Sequence, residues 1–261
     1  GGLVGDNYGT VLNSSAAGEV YSGDSDVGGL VGLNWGEVKR SHATGDVEGY
    51  NYYVGGLVGA NYGENEDYDP LIKDSYATGD VDGYDWVGGL VGQNYWSGAT
   101  IKNSYSTGKV DAVCCNEGGL VGENYNGEVK DSFWDTQTSG MDSSSGGTGL
   151  TTEEMQNLTI FEDAGWNITS VDPGETDRSY VWNIVDGHEY PVHGWEKIEL
   201  IEIEDWYDFD EVRDGLRYRY ILMSDLDENS PGYDELVETE EGWDPIGDGD
   251  DEFTGSFYGN G

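Results

Sequence analysis

Basic residues are scarce in this chain of 261 residues. Lys and Arg total 11 against 53 Asp and Glu, which gives a formal net charge of −42. A surface this acidic repels phosphate backbones and anionic lipid head groups, so nucleic-acid binding is excluded. The charges also repel one another in the folded state unless salt screens them, and the composition therefore favours a high-salt environment.

Cysteine, histidine and long apolar runs are also rare. The two cysteines, Cys114 and Cys115, are neighbours, which excludes a disulfide framework and leaves free thiols or one strained local bridge. The three histidines, His42, His188 and His193, have no recognisable motif around them. No run approaches the roughly 18 apolar residues of a membrane helix. Glycine, in contrast, occurs 43 times, and 9 Trp and 19 Tyr argue against a disordered acidic tail.

A repeat fills the first half of the chain. The string GGLVG begins at residues 1, 28, 55, 88 and 118, at spacings of 27, 27, 33 and 30 residues. Each copy continues with an apolar residue three positions before a serine, a run of small residues that ends in glycine, and a valine segment. A period of this length indicates stacked repeats. Because the segments are short, lie between glycine turns and lack a helical period, they predict a parallel β-solenoid with about three faces per coil.

Stacking places equivalent residues of successive coils in ladders. An apolar ladder is predicted from Leu3, Leu30, Leu57, Leu90 and Leu120. An amide ladder, whose side chains can bond to one another, is predicted from Asn7, Asn34, Asn61, Asn94 and Asn124. An aromatic ladder at the neighbouring corner is predicted from Tyr8, Trp35, Tyr62, Tyr95 and Tyr125. The insertions of the longer copies, at 64–70 and 95–99, fall at this same corner and add Tyr68 and Trp96. We interpret these aromatic residues and insertions as a candidate binding face.

The string GGLVGxNxG, followed by an apolar step, N/D-S-Y-A-T-G and V-x-G, resembles the GLUG-motif repeats of bacterial and archaeal surface proteins. The resemblance covers residues 1 to about 135, and residues 74–92, DSYATGDVDGYDWVGGLVG, are close to the family consensus. It implies a mainly β fold, a parallel β-solenoid (β-helix) of about five GLUG coils with small α+β capping segments. Together with the acidic composition, it implies an extracellular or cell-surface protein of a salt-loving archaeon.

The chain is divided into three segments by these patterns. Residues 1–148 form the predicted solenoid, 149–195 resemble the segment that closes such solenoids, and 196–261 resemble the segment that opens a further one. The capping-box spacing of Thr151 and Glu154 predicts a helix over 152–163, expected to cover the strand edges of the last coil. A second helix is predicted near 205–214. The order of coils, closing segment and opening segment indicates a tandem array cut out of phase.

The sequence indicates a protein that is not an enzyme. Carbohydrate-cleaving β-helices need paired carboxylates, or a metal with basic partners, in a cleft. Carboxylates are too abundant here to single out a pair, and no catalytic residue is assigned. His42 occupies a ladder position that Tyr or Phe holds in other copies, so we expect it to serve packing.

Calcium is the one cofactor for which the sequence contains candidate ligands. Oxygen-rich spacings that could bind a hard cation occur in two clusters: Asp225, Asp227 and Asn229, and Asp248, Asp250 and Asp251. The first cluster lacks the glycine and glutamate of a helix-loop-helix calcium site, so a solvated acidic loop is the stronger interpretation. Three sequons, at Asn13, Asn157 and Asn167, indicate a glycosylated exterior for a secreted chain.

Three functional hypotheses follow from these patterns. The first is head-to-tail self-assembly into a filament or surface layer through open solenoid ends, with Leu3, Val4, Phe253 and Phe257 at the edges. The second is an adhesin that binds a glycan, a cell-wall component or a partner protein through the corner insertions. The third, which the absence of a recognisable site disfavours, is a polysaccharide-active β-helix enzyme.

Overall fold

The fold is a stack of short parallel strands. The computed structural model describes residues 1–63, 69–198, 200–215, 219–237, 246 and 256–259. Coil one contains β1 (Val4–Asn7), β2 (Thr10–Leu12), β3 (Ser15–Ala16), β4 (Val20–Ser22) and β5 (Val27–Gly28). Coil two contains β6 (Val31–Asn34), β7 (Glu37–Lys39), β8 (His42–Ala43) and β9 (Val47–Gly55). Coil three contains β10 (Val58–Tyr62), β11 (Leu71–Lys73), β12 (Tyr76–Ala77) and β13 (Val81–Gly88).

The last two coils repeat this order. Coil four contains β14 (Val91–Tyr95), β15 (Thr100–Lys102), β16 (Tyr105–Ser106), β17 (Val110–Ala112) and β18 (Glu117–Gly118). Coil five contains β19 (Val121–Tyr125), β20 (Glu128–Lys130) and β21 (Phe133–Asp135). The parallel β-solenoid predicted from the repeat is thus confirmed.

The strands stack into four parallel sheets, one more than the three faces predicted. The first sheet is β1-β6-β10-β14-β19, the second is β2-β7-β11-β15-β20, and the third includes β3-β8-β12-β16-β21. In the fourth sheet β13 joins β9 to β17 and β18, and β4 and β5 pair with β9. The additional sheet arises from the small-residue run after each serine, which forms a two-residue strand. Such a short strand is stable because the coils on either side satisfy its backbone groups.

The interior confirms the predicted apolar ladder in four of its five members. Leu30, Leu57, Leu90 and Leu120 are completely buried, whereas Leu3 is 52% exposed. The valine that follows each leucine keeps a matched register, with Val58 opposite Val31 and Val91. Leu3 differs because coil one is the end of the stack, so one side of its side chain has no coil against it in the described residues.

Glycines permit the close contact between coils. A Cβ atom at Gly88 would overlap the carbonyl oxygen of Val91 and crowd the amide of Gly122. A left-handed corner precedes the serine of each coil, with φ between 46° and 50°, at Asn13, Arg40, Asp74, Asn103 and Asp131. Asn and Asp tolerate this conformation better than other side chains, which explains their recurrence there.

The closing segment covers the solenoid in a different way from the one expected. Its elements are α1 (Thr136–Ser139), β22 (Thr148–Leu150), α2 (Thr152–Met155), α3 (Leu158–Asp163), β23 (Ile168–Ser170), β24 (Trp182–Ile184) and β25 (Val192–His193). Strand β22 pairs with the edge of β21, and Ser144 Oγ accepts the backbone amide of Val121 at 2.8 Å. These residues, and not the predicted helix, cover the edges of the last coil.

The predicted helix over 152–163 is two helices. The capping box of Thr151 and Glu154 is present, but α2 ends at Met155, and the side chain of Asn157 starts α3 by accepting the amide of Thr159. Both helices lie beside the third sheet, because its outward positions are aromatic and need cover. Phe161 and Met155 belong to one buried cluster with the ring residues of that sheet, Tyr76, Tyr105 and Phe133.

The last segment forms a small α+β unit. It contains β26 (Ile201–Ile203), α4 (Trp206–Glu211), a 3-10 helix (Val212–Gly215), β27 (Arg219–Leu222), α5 (Tyr233–Leu236) and β28 (Ser256–Tyr258). The three strands form a parallel sheet in the order β26-β27-β28. The helix predicted near 205–214 is confirmed, with its last turn tightened into the 3-10 form.

Candidate interaction site

The edge of coil one forms one end of the solenoid. Strands β1, β2, β3 and β4 stand at the ends of their sheets. In the following coils, the amide of Leu30 donates to the carbonyl of Leu57, and the amide of Leu57 donates to that of Leu90. The carbonyl of Leu3 is the next acceptor in this row. Val4 is half-buried and packs against the main core, so this edge combines apolar side chains with backbone hydrogen-bonding groups.

The aromatic ladder runs along a corner from this edge, as predicted. Ring centroids are separated by 5.9 Å from Tyr8 to Trp35, and by 4.9 Å from Trp35 to Tyr62. The spacing is 4.8 Å from Tyr62 to Tyr95 and 5.1 Å from Tyr95 to Tyr125. Most of these pairs are stacked face to face. The inner rings therefore pack mostly through their faces, and their edges are directed toward solvent.

The corner insertions contribute one described aromatic residue. Trp96 is 40% exposed, and its ring lies 5.9 Å from that of Tyr95. Tyr68, with most of the insertion at 64–70, lies outside the described residues.

The amide ladder beneath the corner is continuous. Asn7 Nδ2 donates to Asn34 Oδ1 at 2.7 Å, and Asn34 Nδ2 donates to Asn61 Oδ1 at 2.8 Å. Asn61 Nδ2 donates to Asn94 Oδ1 at 2.8 Å, and Asn94 Nδ2 donates to Asn124 Oδ1 at 2.9 Å. The inner three asparagines are completely buried. The predicted amide ladder is thus present, with each asparagine one residue before a ring of the aromatic ladder.

The proposed calcium ligands lie on an exposed loop after β27. Asp227 Oδ1 accepts the backbone amide of Asn229 at 2.7 Å, and this bond lowers the pKa of the Asp227 carboxyl group. Asp225 is exposed beside them. The second cluster, Asp248, Asp250 and Asp251, lies outside the described residues, as does Phe253.

The remaining predicted sites are distributed over the surface. Phe257 of β28 is half-buried and packs on Phe209 and Tyr220, at ring separations of 5.3 and 6.0 Å. The sequon asparagines are all exposed: Asn13, Asn157 and Asn167. Both cysteines are free and exposed. Of the two alternatives, free thiols or a local bridge, the structure therefore has free thiols.

A shallow acidic groove on the fourth sheet was not predicted. Tyr50 and Tyr84 are 58% and 42% exposed, and beside them Glu48, Asp82 and Asp111 stack in register. Burial and the neighbouring Asp111 raise the pKa of Asp82. Its signal in the sequence is the repeated V-D/E-G-Y string at 47–50 and 81–84, in which an acidic residue and a tyrosine recur at the same spacing.

Two histidines and a glutamate lie close together in a cluster that no sequence motif predicts. His42 packs on Tyr76 at a ring separation of 4.7 Å, which confirms its packing role, but its Nε2 also lies 3.4 Å from Glu196 Oε1. His193 lies 2.9 Å from the same carboxylate. Burial lowers the pKa of His42. Burial alone would raise the pKa of Glu196, but its hydrogen bond with His193 and the charge of His42 lower it overall.

The stacked coils and ladders define the class of the molecule as a parallel β-solenoid repeat protein. Residues 23–48, 50–82 and 87–111 match the family described as the GLUG motif. The second, third and fourth coils of the solenoid thus carry GLUG-motif repeats.

One relative is a protein of Evansella cellulosilytica described as a Gly-rich membrane protein, 32% identical over 111 residues. The match covers 41% of this chain and 12% of that protein, so the chain spans a small part of its relative. No solved structure matches the chain. Within the described residues, the helices are too short or too polar to cross a membrane.

Proposed function

We propose that this GLUG-motif repeat protein is a structural component of the cell surface that assembles head to tail through the edge of coil one. Surface or membrane association is supported by the description of the Evansella relative as a membrane protein. The acidic composition and the three exposed sequons also fit an extracellular setting. Assembly is the finer part of the proposal, and the open edge of coil one carries it.

The edge of coil one has the chemistry of a coil-binding surface. Leu3 is 52% exposed where its ladder equivalents are completely buried. A further coil would bury this side chain and pair the backbone groups of β1, as coil two does on the opposite side. Such a coil could come from preceding residues of a longer polypeptide or from a second molecule.

The last segment offers a complementary edge. Among the described residues, strand β28 stands at the end of a parallel sheet, as β1 does, and parallel edges of this kind pair through evenly spaced hydrogen bonds. Contact between two different edges does not close on itself, so it propagates into a filament. The partner in this proposal is therefore a second copy of the chain.

Sedimentation velocity over a concentration series in molar salt, with electron microscopy of the same samples, tests the assembly. We expect growing oligomers for the parent chain and monomers for Leu3→Lys, because the lysine places a charge where a coil would bury an apolar side chain. Tyr180→Lys, at a surface position that is 39% exposed, is the matched control and should assemble normally.

A permuted chain with residues 196–261 placed before Gly1 tests the complementary end. If these residues supply the stacking coil, the permuted chain satisfies its own edge and remains a monomer. A parent chain that stays monomeric at every concentration, or a Leu3→Lys variant that still forms filaments, would contradict the proposal. The proposed role involves no catalysis, and product release from a polysaccharide panel would contradict that part.

Glycan adhesion is a second candidate, and the groove on the fourth sheet favours it over the predicted corner. Exposed tyrosine rings beside carboxylates can stack on a sugar and accept hydrogen bonds from its hydroxyl groups. The groove offers Tyr50 and Tyr84, which meet Tyr21 and Tyr52 edge to face at 5.2 and 6.0 Å, whereas most corner rings stack face to face. A glycan array should then show binding that Tyr84→Ala removes and that Trp96→Ala, at the corner insertion, retains. Binding that Trp96→Ala removes and Tyr84→Ala retains would instead indicate that the glycan site is at the corner.

A further inference from the structure

Three potential metal ligands from distant parts of the chain meet beside the third sheet. His42 lies on β8 of coil two, His193 lies on β25, and Glu196 follows three residues later. One ligand atom from each of these side chains falls within 4.8 Å of the other two. We propose that this histidine cluster, His42, His193 and Glu196, binds a divalent transition-metal ion of the zinc class.

The spacing of the ligand atoms suits a small tetrahedral site. Ligands about 2.1 Å from a zinc ion in tetrahedral geometry lie about 3.4 Å from each other. His42 Nε2 and Glu196 Oε1 are separated by 3.4 Å, and His193 Nδ1 and Glu196 Oε2 by 2.9 Å. The shorter separation is that of a hydrogen bond, which a bound ion would replace. Two imidazoles and one carboxylate favour zinc and similar ions over calcium, which prefers oxygen ligands alone.

The surroundings of His193 prepare its Nδ1 to be the ligand atom. Its Nε2 lies 2.9 Å from the backbone carbonyl oxygen of Asp74. A carbonyl can only accept, so Nε2 carries the proton, and a second-shell bond of this type orients the histidine ligands of metal sites. The ring is completely buried and stacks on Trp182 and Trp195, at centroid separations of 4.6 and 4.4 Å.

The carboxylate is held in a similar way. Tyr76 donates its hydroxyl hydrogen to Glu196 Oε1 at 3.0 Å, and the backbone amide of His193 donates to Glu196 Oε2 at 2.9 Å. Both bonds keep the carboxylate turned toward the two imidazoles. Three preoriented protein ligands are thus present before an ion arrives.

One side of the cluster faces solvent. The side chains of His42 and Glu196 are 13% and 22% exposed, which leaves a path for an ion and room for water as a fourth ligand. The net charge of −42 raises the local concentration of cations around the protein. A bound ion would connect coil two directly to the closing segment.

Isothermal titration calorimetry with zinc chloride tests the site, in molar NaCl with excess magnesium to saturate unspecific acidic positions. We expect one ion per chain, and cobalt as a substitute should give the visible absorption of a tetrahedral complex. His42→Phe removes a ligand but keeps the ladder intact, because Phe133 occupies the same register position in coil five. This variant should bind zinc about 100-fold more weakly or worse, with an unchanged near-ultraviolet circular dichroism spectrum.

His188→Gln is the matched control, because it removes the one histidine outside the cluster. It should bind zinc as the parent chain does. Failure of the parent chain to bind zinc, or equal binding by His42→Phe, would overturn the proposal and leave the cluster as a hydrogen-bonded contact with a proton between His193 and Glu196. The Leu3→Lys arm of the assembly assay is independent of this result, since Leu3 lies at the edge of coil one, outside the cluster.

Discussion

Replacement of Asn61 by alanine tests whether the amide ladder stabilises the fold. Asn61 is completely buried in the middle of the stack. It accepts the amide hydrogen of Asn34 at 2.8 Å and donates to Asn94 Oδ1 at the same distance. Alanine would leave the Asn94 acceptor unpaired in the core, together with one N–H of the Asn34 amide, whose other N–H donates to the carbonyl of Gly36 at 3.1 Å. Each buried unsatisfied group costs about 1–3 kcal/mol, so we expect the two together to lower the free energy of unfolding by about 2–6 kcal/mol.

The matched control is Asn7→Ala, at the end of the same ladder. Asn7 is 6% exposed and donates to Asn34, so its loss leaves one ladder acceptor unpaired and should cost about 1–2 kcal/mol. Urea denaturation in molar salt, followed by near-ultraviolet circular dichroism, measures both changes. If Asn61→Ala destabilises the protein no more than Asn7→Ala does, the ladder is not a cooperative network and the reasoning fails.

Three further predictions concern the backbone and the charges of the coils. Arg40→Asn should stabilise the fold by about 0.5–1 kcal/mol in molar salt, because Arg40 has a left-handed φ of 46° at a corner where the other coils carry Asn or Asp; a lower melting temperature would contradict this. Gly88→Ala should destabilise it by about 3 kcal/mol or more in urea denaturation, since the new Cβ overlaps the backbone of Val91, whereas Gly23→Ala meets open space and should be nearly neutral. Burial raises the pKa of Asp26 above its ordinary value of 3.8, so its stabilising contribution is complete below that pH and is lost as the pH rises through the raised pKa. Asp26→Asn should therefore raise the melting temperature at about pH 7 and lose that advantage by about pH 3, and an advantage independent of pH would refute the assignment.

The repeat predicted the solenoid because its spacing acts on every coil alike. Aligned copies placed Leu30, Leu57 and Asn61 on their correct ladders, since parallel stacking brings equivalent positions together without further information. The same reasoning failed for the number of sheets. A two-residue strand such as Tyr76–Ala77 has no periodicity of its own, and its strand character comes from the neighbouring coils.

Two further features of the closing segment were not predicted: the break in its helix and its contact with the repeat. The break between α2 and α3 depends on Asn157, whose side chain caps α3. From the sequence alone, an asparagine at this position is equally compatible with the interior of one long helix. His42 and His193 are far apart in sequence, and a shared site between them depends on how the closing segment lies on the third sheet. Neither the helix break nor the histidine pair can be predicted from the sequence pattern alone.

The closing segment also determines how the protein comes apart. His42, Tyr76, Tyr105 and Phe133 belong to four successive coils, and residues 152–196 contact all four. In a bare stack each coil contacts only its neighbours, so unfolding can stop between any two of them. A segment fastened across four coils makes these four unfold together, while coil one, outside that span, opens and recloses by itself.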